Sequence, residues 1–151
     1  VRKLFFDADS TIRIANPYFD ESRTVIEDIA SLVNRGVTTK ILTRETHAGG
    51  SGARSAVNSI YDEVSADNRR HLKVRDLYRR DDETGRQSVA THAKIVIADD
   101  SPCYVGSANL TEMNLANNFE MGVLMWGDIV SNAVRVFDHV FDASEEVHLP
   151  I

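Results

Sequence analysis

The chain has 151 residues, 42% hydrophobic and 26% charged, with a net charge of −6 and a single cysteine. That length and mix fit about one globular domain with a real core, and they exclude a disordered chain. No apolar run approaches the roughly 20 residues of a membrane span, so integral membrane association is excluded.

Cys103 alone can form neither an internal disulfide nor a Cys-rich zinc site, and a reducing, cytoplasmic setting is expected. The first residues, Val1 to Phe6, lack the apolar stretch of a signal peptide and the initiator Met. The expectation is one domain over 1–151, excised from a longer product.

Punctuation along the chain reads as alternating strands and helices. Residues 11–15 form a strand, and Asn16-Pro17-Tyr18-Phe19-Asp20 turn into a helix. That helix carries Val25, Ile26, Ile29, Leu32 and Val33 at helical spacing, and Gly36 stops it. Residues 37–42 are β-branched and make the next strand, so the pair should be parallel. A loop of small residues with Gly49-Gly50-Ser51-Gly52 follows, either a plain connector or the border of a substrate groove. It lacks the Lys-Ser/Thr ending of a P-loop.

A helix over 53–65 and a strand over 71–77 come next. Residues 79–91 read as an exposed loop. Strands 92–98 and 103–106 form a hairpin around Asp99-Asp100-Ser101-Pro102. Residues 107–117 are polar, 118–126 a long apolar strand, and Asp128 caps a last helix bearing Val136, Phe137, Val140 and Phe141. Met125 and Trp126 are expected in the core. The expected class is α/β, a mixed and mostly parallel sheet flanked by helices on both faces.

Charge is uneven. Residues 35–94 hold 12 Lys/Arg against 8 Asp/Glu, a local +4, and the rest of the chain carries −10. Arg69, Arg70, Lys73, Arg75, Arg79, Arg80 and Arg86 are close in sequence and can attract a polyanion. The plain alternative is a solvated surface with counter-charges at Asp76, Asp81, Asp82 and Glu83.

The chemistry concentrates between residues 91 and 120. His92 and Lys94 are two apart on the expected strand, so they share a face. Ser107 and Asn109, then Asn118 and Glu120, repeat that spacing at the next two strand ends. Together they offer an imidazole that can attack or donate a proton, cationic and amide donors for an anion, and a carboxylate. That carboxylate can hold the second ring nitrogen of His92 or pair with Lys94. The set suits phosphoryl transfer without a metal or other cofactor; a cation at His92, Asp99 and Glu120 would be repelled by Lys94.

The run His92-x-Lys94-(x)4-Asp99-(x)6-Gly106-Ser107-x-Asn109 resembles the HKD signature of the phospholipase D superfamily. Glu120 falls where its small single-motif endonucleases carry theirs. The segments Ile14 to Phe19 and Arg35-Gly36-Val37 are similar to the family's first strand and crossover. The resemblance implies that His92 attacks phosphorus and becomes a phosphohistidine. It implies that Lys94 and Asn109 hold the non-bridging oxygens, that Ser107 supports the site and that Glu120 orients His92. Asp99 would serve the partner motif's histidine or the leaving group.

One motif is present where the family's lipases carry two, and His47, His71, His139 and His148 lack the following Lys and Asp. A second imidazole is therefore expected from a homodimer joined through the motif face, or else from a second half of a longer protein from which this chain was cut. Nucleic acid is the expected partner, with Arg44, Arg79 and Arg80 joining Lys94 and Asn109 in binding the phosphodiester. Alternatives are a lipid phosphodiesterase or transphosphatidylase, which would need an apolar rim not evident in the sequence, and a non-catalytic binding or dimerisation module.

Overall fold

The computed structural model describes residues 2–151, apart from the side chains of residues 112 and 115. The chain runs α1 (Arg2–Asp7), β1 (Thr11–Ala15), α2 (Arg23–Asn34), β2 (Thr38–Thr43), α3 (Gly52–Glu63), β3 (Leu72–Asp76), β4 (Tyr78–Arg80) and β5 (Gln87–Ala90). It continues with β6 (Ile95–Ala98), β7 (Cys103–Gly106), α4 (Glu112–Ala116), β8 (Gly122–Met125), α5 (Asp128–Ala143) and β9 (Glu145–Glu146).

The main sheet has the order β8-β7-β6-β1-β2-β3-β9, and β4 and β5 form a separate ribbon. The β1–β2 and β2–β3 pairs are parallel, as the β-α-β reading requires. The pairs β1–β6, β6–β7, β7–β8 and β3–β9 are antiparallel. The sheet is mixed as expected, but antiparallel pairs outnumber parallel ones because every strand after β3 returns through a hairpin or a reversal.

Alternation along each strand builds two cores. Ile12, Ile14, Ile41, Val74 and Val96 pack under α1, α2 and α3 with Ile29, Val33, Val57 and Ile60. On the other face Ala15, Leu42, Ile97 and Cys103 meet Val130, Phe137 and Phe141 of α5. Burying each large aliphatic side chain contributes roughly 1.5–3 kcal/mol. Helix α2 ends as predicted: Gly36 has φ +84°, and the amides of Gly36 and Val37 bond back to Val33 and Leu32. Beneath α5, Asp138 accepts from Arg13 at 3.0 and 2.9 Å and from Lys40 at 2.8 Å, pairing two cations that strand alternation turns inward.

Four expectations change. Residues 79–91 are largely a β-ribbon rather than a loop, with Arg79 opposite Val89 and Arg80 opposite Gln87. Residues 92–94 precede β6 instead of belonging to it. Asp128 is the first residue of α5, whose cap is Gly127 with no side-chain bond. Trp126 is 62% exposed, because β8 is an edge strand and no described residue covers its outer surface.

Candidate active site

The site forms where the C-terminal ends of β1, β2, β3 and β7 meet the N-terminal ends of β6 and β8. Antiparallel register sets this: Ala15 pairs with Ile95, Ile95 with Val105, and Gly106 with Gly122. Segments 16–19, 44–53, 91–94, 107–110 and 118–121 therefore open on one end of the sheet.

His92 is exposed, and Lys94 behind it is buried to 9% exposure. Lys94 Nζ lies 3.4 Å from His92 Nδ1 and donates to the His92 carbonyl at 3.2 Å. The two side chains thus meet even though the segment is irregular rather than a strand. Thr91 N donates to Leu77 O at 3.0 Å and Gly106 N to Lys94 O at 3.1 Å, which pins the segment at both ends. Burial pushes the Lys94 ammonium below its usual pKa, and the Glu120 charge partly opposes this.

Glu120 receives the Ser107 hydroxyl and the Asn114 side-chain amide. Those bonds, the Ser107 hydroxyl foremost, hold its carboxyl below the ordinary range; burial works against them, while the Asn118 side chain and the Lys94 charge add to them. Thr111 caps α4 by accepting from Asn114 N at 3.3 Å and also donates to Asn114 Oδ1 at 2.6 Å, so this short helix sets where Glu120 sits. Among the described residues no hydrogen bond joins Glu120 to His92. The carboxylate acts on Lys94 through its charge and on Ser107 by direct contact.

Among the described residues Asn109 Oδ1 is buried without a hydrogen-bond partner, an arrangement that costs about 1–3 kcal/mol. The 108–110 backbone beside it is held by Asn16, whose amide donates to Ala108 O at 3.4 Å and whose oxygen accepts from Leu110 N at 3.3 Å. Gly106 is needed here for close packing: a Cβ would stand 2.1 Å from the Tyr104 hydroxyl, whose ring also covers Gly122.

Asp99 is not brought to the site. It lies at the other end of β6, five residues from Lys94 and so roughly 16 Å away along the strand. There it accepts from Asp9 N at 3.1 Å, Ser10 N and Oγ at 2.8 Å, and Thr11 N at 2.9 Å. Burial alone would raise its pKa, but these bonds together outweigh that and lower it to about 2.

The basic zone divides as well. Arg69, Arg70, Lys73 and Arg75 surround a separate cavity on the β3–β9 side, three strands from β6. Arg44 and Arg80 lie closer. The Arg44 guanidinium stands 5.6 Å from the Tyr18 ring and 5.0 Å from the Tyr78 ring, and Arg80 stacks on Tyr78 at 5.4 Å. Arg79 lines a different cavity, beside Ser144 and Glu145.

Among the described residues no group of three or more His, Cys, Asp or Glu side chains is placed to hold a metal. No helix described is long and apolar enough to cross a membrane.

A family model described as the phospholipase D-like domain of cardiolipin synthase matches residues 1–143. The chain belongs to the phospholipase D-like family. No curated protein matches the chain significantly.

Solved structures share the phospholipase D-like fold at low identity. Nuc from Salmonella typhimurium, a phospholipase D family member, is 18% identical with a TM-score of 0.75, over 97% of this chain and 88% of that one. The phosphatidylserine synthase of Haemophilus influenzae Rd KW20 is 17% identical with a TM-score of 0.74, over 97% and 36%. TrmBL2, an archaeal chromatin protein with a novel mode of DNA binding, is 20% identical with a TM-score of 0.63, over 97% and 48%. Membership places the chain among phosphodiesterases.

Three features of the phospholipase D-like site escaped the sequence reading. Asn16 and Asn114 act through tertiary bonds that no spacing announces. The third is a run of exposed apolar side chains leading off the site: Phe119 is 89% exposed, with Met121, Val123, Leu124, Trp126, Ile129 and Val136 also exposed, and the register puts Val123 and Leu124 on opposite sides of β8. The apolar run of 118–126 was legible, though only Gly122–Met125 of it is strand; that no described residue covers its exposed side chains was not.

Proposed function

We propose that this chain is a nuclease that cleaves phosphodiester bonds without a metal, as one domain working in a homodimer. The observation that carries the reading is the His92–Lys94 pair set beside Glu120 in a chain with a single such motif, directly continuous with an uncovered apolar face.

In this mechanism a ring nitrogen of His92 bonds to phosphorus. The bond from phosphorus to the leaving oxygen breaks, and the second copy's His92 gives that oxygen its proton. Water then attacks the phosphohistidine, frees the imidazole and returns a proton to the second copy's ring. Lys94 and Asn109 hold the non-bridging oxygens, and the Lys94 charge offsets the negative charge building there. Glu120 and Ser107 keep Lys94 charged and the strand ends aligned.

A second copy supplies the missing imidazole and covers the apolar face. Phe119 and Met121 flank Glu120, and Ala93, between His92 and Lys94, lines the same apolar groove as Met125, Ile129 and Val136. An interface there would bring the two copies' sites towards each other. Arg44 and Arg80 supply cationic contacts for a polyanion, in keeping with the DNA binding named for the structurally similar TrmBL2. Cys103, buried and unpaired, suits a reducing cytoplasm.

A second reading, a lipid phosphodiesterase, is favoured by the same apolar face if it meets acyl chains, and by the likeness to a phosphatidylserine synthase. The test is incubation with plasmid and single-stranded DNA in excess EDTA beside His92→Ala, with choline release from phosphatidylcholine vesicles in parallel. Cleavage that persists in chelator and vanishes in the variant supports the nuclease. Choline release without DNA cleavage replaces it with the lipid enzyme.

A further inference from the structure

Next to His92 lies a cavity whose lining, Arg44 apart, the chemistry above does not use. It has a volume of about 320 Å³ and is bounded by Tyr18, Arg44, Glu45 and the Gly49-Gly50 stretch. Tyr18 links it to the reacting centre: its ring is 44% exposed and meets the His92 ring edge-on, with centroids 6.0 Å apart. A cation flanks the same ring, since Arg44 stands over Tyr18. The opposite wall has no side chains at Gly49 and Gly50, so a flat ligand can enter against it.

This wall is held in shape. Glu45 takes a left-handed backbone, φ +58°, which a residue with a Cβ rarely adopts. Asp76, buried, keeps it there by accepting from Glu45 N at 3.2 Å and from Thr46 N at 2.7 Å. Arg44 is fixed in turn by Gln87 Oε1 at 2.8 Å and by Glu45 at 3.0 Å. The geometry is that of a preorganised slot with Tyr18 and Glu45 in its lining and a planar cation over one face of the Tyr18 ring.

We propose that this slot takes the base of the nucleotide adjoining the scissile phosphate, stacked on the face of Tyr18 that Arg44 leaves open, so that the substrate is an unpaired strand. The proposal rests on the nuclease reading above. A base within a duplex has both faces covered by neighbours and cannot reach Tyr18 without unstacking, whereas a single strand offers its bases freely. Every base has a π-face, so the slot selects strandedness rather than sequence. Beyond it the ladder of Arg44, Tyr78 and Arg80 continues the same alternation of ring and cation for the following nucleotide.

The experiment uses oligonucleotides carrying 2-aminopurine, whose fluorescence is quenched when it stacks on an aromatic ring. Binding is measured on the His92→Ala chain, and cleavage kinetics on the chain with His92 intact. Quenching by single-stranded but not duplex oligonucleotide is expected, lost on adding Tyr18→Ala and kept with Tyr18→Phe. Tyr18→Ala should raise KM on single strands about ten-fold or more with a much smaller change in kcat. Gly49→Phe, which fills the slot, should act the same way.

Equal cleavage of single strand and duplex, untouched by Tyr18→Ala, would overturn the slot and leave the nuclease standing. If the intact chain cleaves no nucleic acid, the nuclease reading fails. The quenching arm then still decides whether the slot holds a base.

Discussion

Lys94 directs its ammonium at the imidazole of its own motif, with Nζ 3.4 Å from His92 Nδ1, and it does so from a buried position. Burial lowers its pKa, so the folded chain gives up that proton more readily than the unfolded chain. Between the depressed pKa and the ordinary value near 10.5 the unfolded state binds more protons, and stability rises with pH across that window.

Lys94→Met removes the buried charge. It should cost at least about 100-fold in rate while leaving the fold at pH 7 more stable than wild type. Melting temperatures taken from pH 7 to pH 10.5 should show the two proteins converging. A variant less stable than wild type at pH 7 would contradict this account of Lys94.

Glu120 depends on Asn114. With Asn114→Ala the carboxylate loses one of the hydrogen bonds that lower its pKa and is no longer anchored to α4. Activity should fall roughly 10- to 100-fold, as when an outer-shell partner is removed. The acid limb of the pH–rate profile should move to higher pH, because a less stabilised carboxylate protonates sooner as pH falls. An unchanged limb would mean that Glu120 is not titrating in the rate.

Asp99 serves the fold rather than the reaction. Its folded pKa of about 2 lies below the ordinary 3.8, so its contribution is present in full above that ordinary value and is lost as pH falls through 2. Asp99→Asn should cost about 1 kcal/mol at pH 7 by denaturant unfolding, because solvent screens part of the effect, and the gap to wild type should close on acidification. kcat at a temperature where both are folded should be unchanged. A loss of kcat there would return Asp99 to the reaction.

Val136→Glu places a charge on the exposed apolar face that Met125, Ile129 and Val136 line. If that face joins two copies, light scattering should show a monomer, and activity should fall with it, because each monomer keeps only one His92. A dimer that persists with full activity would move the interface elsewhere.

Much of the fold was legible because its signals are local. The helical spacing of Val25, Ile29 and Val33 and the stop at Gly36 mark α2 whatever surrounds it. The β-branched run near Ile41 marks β2 in the same way. The ribbon of β4 and β5 was hidden because Arg79, Arg80 and Gln87 are polar and solvated on a small sheet with no core to demand alternation.

Residue types and their spacing alone named the chemistry: an imidazole, a lysine, a serine, an asparagine and a carboxylate at fixed offsets leave few other uses. Only the tertiary structure decided which of them meet. Antiparallel register carries His92, Lys94, Ser107, Asn109 and Glu120 to one end of the sheet and sends Asp99 to the other. Pairing across strands joins residues far apart in sequence, and a linear spacing carries no record of which end of a strand faces which neighbour.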